Sequence, residues 1–441
     1  MVQIDACAEQ GAVGGHAYEA GRDLRRRPGR KHESEERSDD QYRAHIQNPI
    51  PTASSARRPA ELAELARAAG RFGIDTEFVS EGRYRALLCL VQVVVPIDGG
   101  THIELLDPME GFDHEPMAAI WADPSIEVVL HAGAQDVAIL RRAWGVGPRN
   151  IFDTQVAAGF AGFSAQAGYG NLLQGALGVR LAKTAGFTRW DHRPLTSEQL
   201  EYARSDVEDV LALADELQRR LRASERLEWA REECRRLEDV TDERDPETAY
   251  RRLPRVNQLR SRARSVAREL AAWRERTAEA EDRPIGSVLP DVALVEIARR
   301  QPGSLKELER IRGIRPDTGR RRGGQIVETV ERAKSLPPPP VEDMPRLDTD
   351  PADSPVIALA EALIRARALE AGLAYELVAA RAELAAIVSA ARNGRTEPDV
   401  RTLRGWRRDL AGAELLELLA GRRSVRVEPG AGVRVDPPAG E

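Results

Sequence analysis

Lysine is scarce in this chain of 441 residues. Lys31, Lys183, Lys306 and Lys334 are four of its 65 basic residues, and arginine supplies the rest. Heavy Arg and Ala usage of this kind reflects a GC-rich genome rather than a function. Cysteine is also rare. Cys7, Cys89 and Cys234 lie far apart and form no CxxC pair. That spacing argues against a zinc ribbon or a disulfide framework and predicts a reducing, cytoplasmic setting. Long apolar runs are missing too. The longest, Ala86 to Ile97, is broken by Gln92 and falls short of the roughly 20 residues that span a bilayer. No apolar signal-peptide core follows the N-terminus, so no membrane association is expected.

What is present is a charge asymmetry. The formal net charge is −6. Between Pro246 and Lys334, however, 21 Arg and Lys face 13 Asp and Glu, so this stretch carries +8 and the remainder −14. A basic region beside an acidic one suits a protein that grips phosphates with one part and binds metal with the other. Hydrophobic residues make up 42% of the chain, enough for a substantial core.

Residues 1–50 are polar and aperiodic and read as a disordered extension. The run Gly11 to Gly15 has no strand before it and no helix pattern after it, so it reads as coil rather than a phosphate loop. From 51 to 225, strands at Phe72–Val79, Ala86–Val95, His102–Leu106 and Ile126–Leu130 alternate with helices, which predicts an α/β layered domain. Thr196 and Gln199 have capping-box spacing. Leu200, Ala203, Val207, Val210, Ala214 and Leu217 follow as one apolar stripe. A charged helical linker is expected at 226–245, a helical block at 246–335 and a Pro-rich linker at 336–354. A second helical block follows at 355–430, and a coil tail at 431–441. Two blocks with similar closing turns, Arg312-Gly313-Ile314 and Leu403-Arg404-Gly405-Trp406, indicate a diverged duplication.

The candidate chemistry lies in three short segments. Asp75 and Glu77 are two apart in a strand and share a face. A cation would relieve their repulsion, and oxygen ligands suit hard ions such as Mg²⁺. Taken alone, the same pattern also fits a half-buried strand with its carboxylates in water. Asp136 falls in the first turn of a helix, where a carboxylate is favoured in any case. Tyr202 and Asp206 are spaced i, i+4 on one helix face, a common surface arrangement by itself. Asp153 reads as a cap or support. His131 reads as an anchor of the strand–helix turn or as a contact to substrate. Two cations about 3.5–4 Å apart clamp the attacking and leaving oxygens of a phosphodiester, so these residues gain meaning jointly.

Jointly they resemble the DEDD superfamily of 3′–5′ exonucleases in its tyrosine branch, and within it the ribonuclease D family. The first motif is Ile74-Asp75-Thr76-Glu77-Phe78. The second is Leu130-His131-Ala132-Gly133 with Gln135-Asp136, and the third is Tyr202-Ala203 with Asp206-Val207. Phe152-Asp153-Thr154-Gln155 and Arg193-Pro194-Leu195 match as well. Val288-Leu289-Pro290-Asp291, Leu294, Ala298 and Leu308 to Gly313 resemble the helicase-and-RNase-D C-terminal (HRDC) domain. One departure is Arg189-Trp190-Asp191, where the family often carries Asp-Trp.

The resemblance implies a ribonuclease H-like α/β exonuclease domain followed by two small all-α domains, with two divalent cations, Mg²⁺ or Mn²⁺. Asp75, Glu77 and Asp206 would hold one ion, Asp75 and Asp136 the other, and Tyr202 would orient the attacking water. Phe78, His131 and Gln135 are expected near the substrate. Lys183 is expected to touch a phosphate or to be a solvated surface lysine. Arg251, Arg255, Arg320, Arg321 and Arg322 are expected to bind nucleic acid. The expected substrate is single-stranded RNA 3′ ends, tRNA precursors above all, with nucleoside monophosphates as products. A DNA exonuclease and a catalytically idle nucleic-acid-binding protein are the alternatives. Catalysis is expected to reside wholly before about residue 225.

Overall fold

A computed structural model describes residues 58–181, 189–339, 350–430 and 432–436. The expected extension at 1–50, Lys183 and most of the Pro-rich linker lie outside the described residues.

Helix α1 (Arg58–Ala69) leads into a five-stranded sheet. Its strands are β1 (Arg71–Val79), β2 (Leu87–Ile97), β3 (Gly100–Leu106), β4 (Glu127–Leu130) and β5 (Ile151–Asp153), in the order β3-β2-β1-β4-β5. β1 is antiparallel to β2 and parallel to β4. β2–β3 is antiparallel and β4–β5 is parallel. β2 has neighbours on both edges and is buried over most of its length, as its near-continuous apolar run predicts.

Alternation along β1 divides the sheet's two faces. Phe72 and Ile74 join one core with α1, α2 (Glu115–Trp121) and α3 (Ala134–Trp144). Gly73, Asp75 and Glu77 face the other way. Against that face lie α4 (Thr154–Phe160), α5 (Tyr169–Leu177), α6 (Ser197–Glu208) and α7 (Val210–Ala223). The stripe from Leu200 to Leu217 is therefore two helices, broken at Asp209. The predicted capping box starts α6: Gln199 N donates to Thr196 Oγ1 at 3.2 Å, and Thr196 N donates to Gln199 Oε1 at 3.0 Å.

Three expectations for the rest of the chain change. First, α8 (Leu227–Arg235) is no spacer. Ala230 and Cys234 are fully buried, and Cys234 packs against the backbone of Asp153. Second, the block with α12 (Asp353–Glu370), α13 (Arg381–Arg392) and α14 (Ala413–Leu419) is no separate module. Leu363, Leu384 and Trp406 share one apolar core with Val94, Val129 and Leu213 of the sheet domain. Trp406 stacks on Trp229 at 5.2 Å and meets Phe160 edge-on at 5.1 Å. The buried Arg407 pairs with Glu233 of α8. Third, Gly432–Asp436 of the expected coil tail is a strand, and so is Ser424–Glu428 at the end of the expected helical block. Ser424–Glu428 and Gly432–Asp436 pair as an antiparallel hairpin, β6–β7. Its Val425 and Val435 pack on the core while Val427 is exposed.

The basic block has its own core, built on α9 (Ser261–Ala280), α10 (Asp291–Arg300) and α11 (Pro316–Lys334). It docks on the β1–β2 loop. Tyr84 Oη donates to Glu275 at 2.9 Å, Tyr84 N donates to Asp282, and Arg83 and Arg85 pair with Asp282 and Glu279. The loop that leaves the Asp75–Glu77 strand is thus the anchor of the basic block. Among the described residues, no helix is long and apolar enough to cross a membrane.

Candidate active site

β1 delivers Asp75 and Glu77 to one face, and α6 delivers Asp206 to meet them. One carboxylate oxygen from each of the three lies within 4.8 Å of the others. The approach of α7, which follows α6 directly, to the strand depends on Gly73, two residues before Asp75 on the same face. A Cβ there would come within 2.5 Å of Val210 Cγ1 and 2.6 Å of Val94 Cγ1. Overpacking of this kind typically costs about 1–3 kcal/mol. Gly73→Ala should lose stability of that order in a denaturant titration. Its activity should fall further than the folded fraction, because displacing α7 shifts the adjoining α6, and Asp206 with it, away from β1.

Asp136 lies in the first turn of α3. It is not within the three-carboxylate cluster, but it is tied to β1 by a hydrogen bond from Thr76 Oγ1. Its charge is felt at Asp75 and Glu77. The turn before α3 is held by Asp153, which is almost fully buried. The Asp153 carboxylate accepts from the backbone N–H groups of Ala132 (3.2 Å), Gly133 (2.9 Å), Gln155 (2.8 Å) and Val156 (3.1 Å). It caps α4 and fixes the second motif at once, the supporting role its position implied.

Among the described residues, no basic side chain offsets the charge of these carboxylates. Burial, followed by the nearby Asp136, Asp206 and Glu77, holds Asp75 well above the ordinary carboxylate range. Burial, then Asp206 and Asp136, pushes Glu77 up to about 8. Burial pushes Asp206 up to about 6 against the opposing hydrogen bond from Tyr202. Asp136 is raised by burial against the hydrogen bond from Thr76. Tyr202 is raised by burial and by Asp206 and Glu77. An oxygen-only donor set that resists ionisation without a cation fits a hard divalent ion.

A group whose folded pKa is raised stabilises the fold fully below its unfolded pKa and loses that contribution as pH rises through the folded value. Metal-free protein should therefore lose stability from about pH 4 to about pH 8, the window set by Asp206 and Glu77. Glu77→Gln should flatten the upper half of that fall. Thermal melts in chelator across pH 5–9, read with reference to ordinary carboxylates near 4, test both statements.

The other predicted residues are placed as follows. Phe78 is half-buried at the end of β1 and Gln135 is exposed on α3. His131 Nδ1 lies 2.9 Å from Thr154 Oγ1, and its ring packs on Tyr169 at 5.3 Å. Burial lowers its pKa, and the contact with Thr154 ties the ring to the start of α4. Arg251 and Arg255 are exposed, as are Arg320 and Arg321, which flank Asp317. Arg322 is different. Its side chain is only 11% exposed, and its guanidinium makes two bonds to Glu281, at 2.9 and 2.6 Å. That pairing engages its donors within the basic block.

Two supporting residues lie in the segment before α6. Arg193 ties the segment before α6 to Asp107 (2.7 Å) and to the Cys89 carbonyl (2.7 Å). Trp190, where the sequence departs from the family, is buried beside Tyr202 with rings 6.1 Å apart. The departure is thus absorbed in packing, with Arg189 and Asp191 paired at the surface.

The chain matches two family models, 3′-5′ exonuclease over residues 51–222 and HRDC domain over residues 263–330. Ribonuclease D of Gluconacetobacter diazotrophicus is 36% identical over 360 residues, 80% of this chain and 89% of the relative. Ribonuclease D of Escherichia coli is 36% identical over 279 residues, 63% of this chain and 73% of the relative. The crystal structure of Escherichia coli RNase D, described as an exoribonuclease involved in structured RNA processing, superposes with a TM-score of 0.75. It has 31% identity over 85% of this chain and 99% of that one. With the carboxylates of the three motifs in the places described, this chain belongs to the ribonuclease D family of 3′–5′ exonucleases.

Proposed function

We propose that the protein removes nucleotides one at a time from RNA 3′ ends in the cytoplasm, with tRNA precursors and other structured RNAs as substrates and nucleoside 5′-monophosphates as products. The observation that carries this reading is the convergence of Asp75, Glu77 and Asp206 within 4.8 Å. Asp136 stands beside them, and Tyr202 donates a hydrogen bond to Asp206. Family membership supports RNA over DNA. The free, buried Cys89 and Cys234 accord with a reducing compartment.

In this reading Asp75, Glu77 and Asp206 hold one divalent cation, and Asp75 with Asp136 holds a second, Mg²⁺ or Mn²⁺. Bound there, the pair supplies a water of lowered pKa and neutralises charge on the leaving 3′-oxygen. The side chains do the positioning. Glu77 and Phe78 receive the terminal nucleotide, and Tyr202 Oη orients the attacking water. Arg251, Arg255, Arg320 and Arg321 grip phosphates further along the strand. Arginine suits that task, since its planar fork stays charged at any working pH.

The deciding assay offers Mg²⁺ or Mn²⁺ protein 5′-labelled and 3′-labelled RNA and DNA of equal sequence. Stepwise shortening of 5′-labelled RNA, with mononucleotide release from 3′-labelled RNA and loss of both in chelator, is expected. Equal or faster hydrolysis of DNA would overturn the substrate assignment. Tyr202→Phe removes one hydroxyl and keeps the ring packed against Trp190. It should slow turnover by roughly 10²–10⁴, the range for a positioned acid–base group, with little change in RNA binding. Lost metal affinity with near-normal turnover would make Tyr202 structural instead.

A further inference from the structure

β2 buries one polar side chain that packing does not explain. Gln92 is fully buried, and neither its Oε1 nor its Nε2 has a hydrogen-bond partner among the described residues. Buried amides are normally satisfied, and leaving one bare is costly. Its position is specific. Across the β1–β2 ladder Gly73 faces Val94, Asp75 faces Gln92 and Glu77 faces Leu90. Val94 and Leu90, on the same face of β2 as Gln92, are buried and apolar. The polar residue thus occurs at the register position opposite Asp75, where an apolar side chain would have filled the space without penalty. Directly opposed residues have Cβ atoms about 4.5–5.5 Å apart on one face, so the amide reaches the carboxylate by a rotamer change. α6 packs across β1, β2 and β3 on that face.

We infer that Gln92 is a positioning residue for Asp75: with metal bound, its Nε2–H donates to the Asp75 carboxylate. The inference rests on the metal-binding reading above and deepens it. In that reading Asp75 is the carboxylate shared by both cation positions, so its orientation controls both. Beyond the backbone N–H of Thr76, the charged groups acting on it are Asp136, Asp206 and Glu77. As carboxylates these accept and do not donate. Metal-ligating carboxylates are held by a second layer of hydrogen bonds, whose loss typically costs about 10–100-fold in metal affinity or activity. Gln92 supplies a donor from the rigid centre of the sheet.

The test uses the full chain and Mn²⁺ alone. Gln92→Met keeps the volume and removes the donor. Its metal-free melting temperature should equal or exceed that of the unsubstituted protein. The Mn²⁺ concentration that half-saturates thermal stabilisation should rise about 10–100-fold. The Mn²⁺ requirement for RNA hydrolysis should rise with it, by more than kcat falls. An unchanged Mn²⁺ half-point would overturn the inference. So would a lower metal-free melting temperature, or failure to fold, because the amide would then have a purely structural partner. If the unsubstituted protein gains no stability from Mn²⁺, the metal reading itself fails, and that result is visible before any variant is made.

Discussion

Asp75→Asn should abolish hydrolysis and at the same time raise the melting temperature of the metal-free protein. The two effects have one cause. Asp75 stands at the centre of the acidic cluster, with Asp136, Asp206 and Glu77 all raising the cost of its charge. Replacing it with a neutral amide of the same shape removes that repulsion, so stability rises. The gain should be larger at pH 8.5 than at pH 5, since protonation already relieves repulsion at low pH. In the proposed two-cation reading, the same change removes the ligand shared by both positions. Cations at such a site stabilise the transition state by several kcal/mol, which corresponds to a loss of roughly 10³-fold or more in rate. Melts in chelator and an end-labelled RNA assay measure both. Activity close to that of the unsubstituted protein would sink the metal assignment, whatever the melting temperature does.

Ending the chain after Glu225 should yield a protein with no cooperative unfolding transition and no nuclease activity, contrary to the modular reading of the sequence. The exonuclease sheet does not close its core by itself. Ala230 and Cys234 of α8, and Leu363, Leu384 and Trp406 of the second helical block, complete it. Cutting at 225 exposes Phe160, which Trp406 now covers edge-on. It also uncovers the backbone of Asp153, which holds the second motif. A milder version of the experiment is Trp406→Ala. Removing a buried tryptophan of this kind typically costs about 3–5 kcal/mol. Stacking on Trp229 and the edge contact with Phe160 are lost with it. Denaturant titration should show that loss, and activity should track the folded fraction. A 1–225 chain with a sharp melt and normal turnover on short single strands would show the shared core to be dispensable.

Sequence and structure agree where the controlling interactions are local. The capping box at Thr196 and Gln199 is a contact over three residues, so spacing alone announces it. The shared face of Asp75 and Glu77 follows from strand alternation. The β6–β7 hairpin was legible in the same way: Val425 and Val427, then Val433 and Val435, alternate with charged residues around a Gly-containing turn. On sequence alone its first strand falls in the expected helical block and its second in the expected coil tail, because the boundary at 430 lies inside the hairpin's turn.

Other features were not legible, because they depend on partners distant in sequence. Arg322 looks like its neighbours Arg320 and Arg321, yet Glu281 claims it from 41 residues away. Gly73 is one of 35 glycines, and only the approach of Val210 shows why it must lack a side chain. The charged segment at 226–245 reads as a linker because α8 buries a single stripe containing Ala230 and Cys234, too narrow to stand out among its charges. By itself the sequence determined the family of this protein and placed four carboxylates and a tyrosine in three motifs, along with the strands and helices that carry them. Those depend on residue type and on periodicities of two and 3.6. Only the tertiary structure decided which carboxylates meet, that Gln92 stands opposite Asp75, and that the second helical block belongs to the exonuclease core. Strand register and long-range packing set these, and no local pattern encodes either.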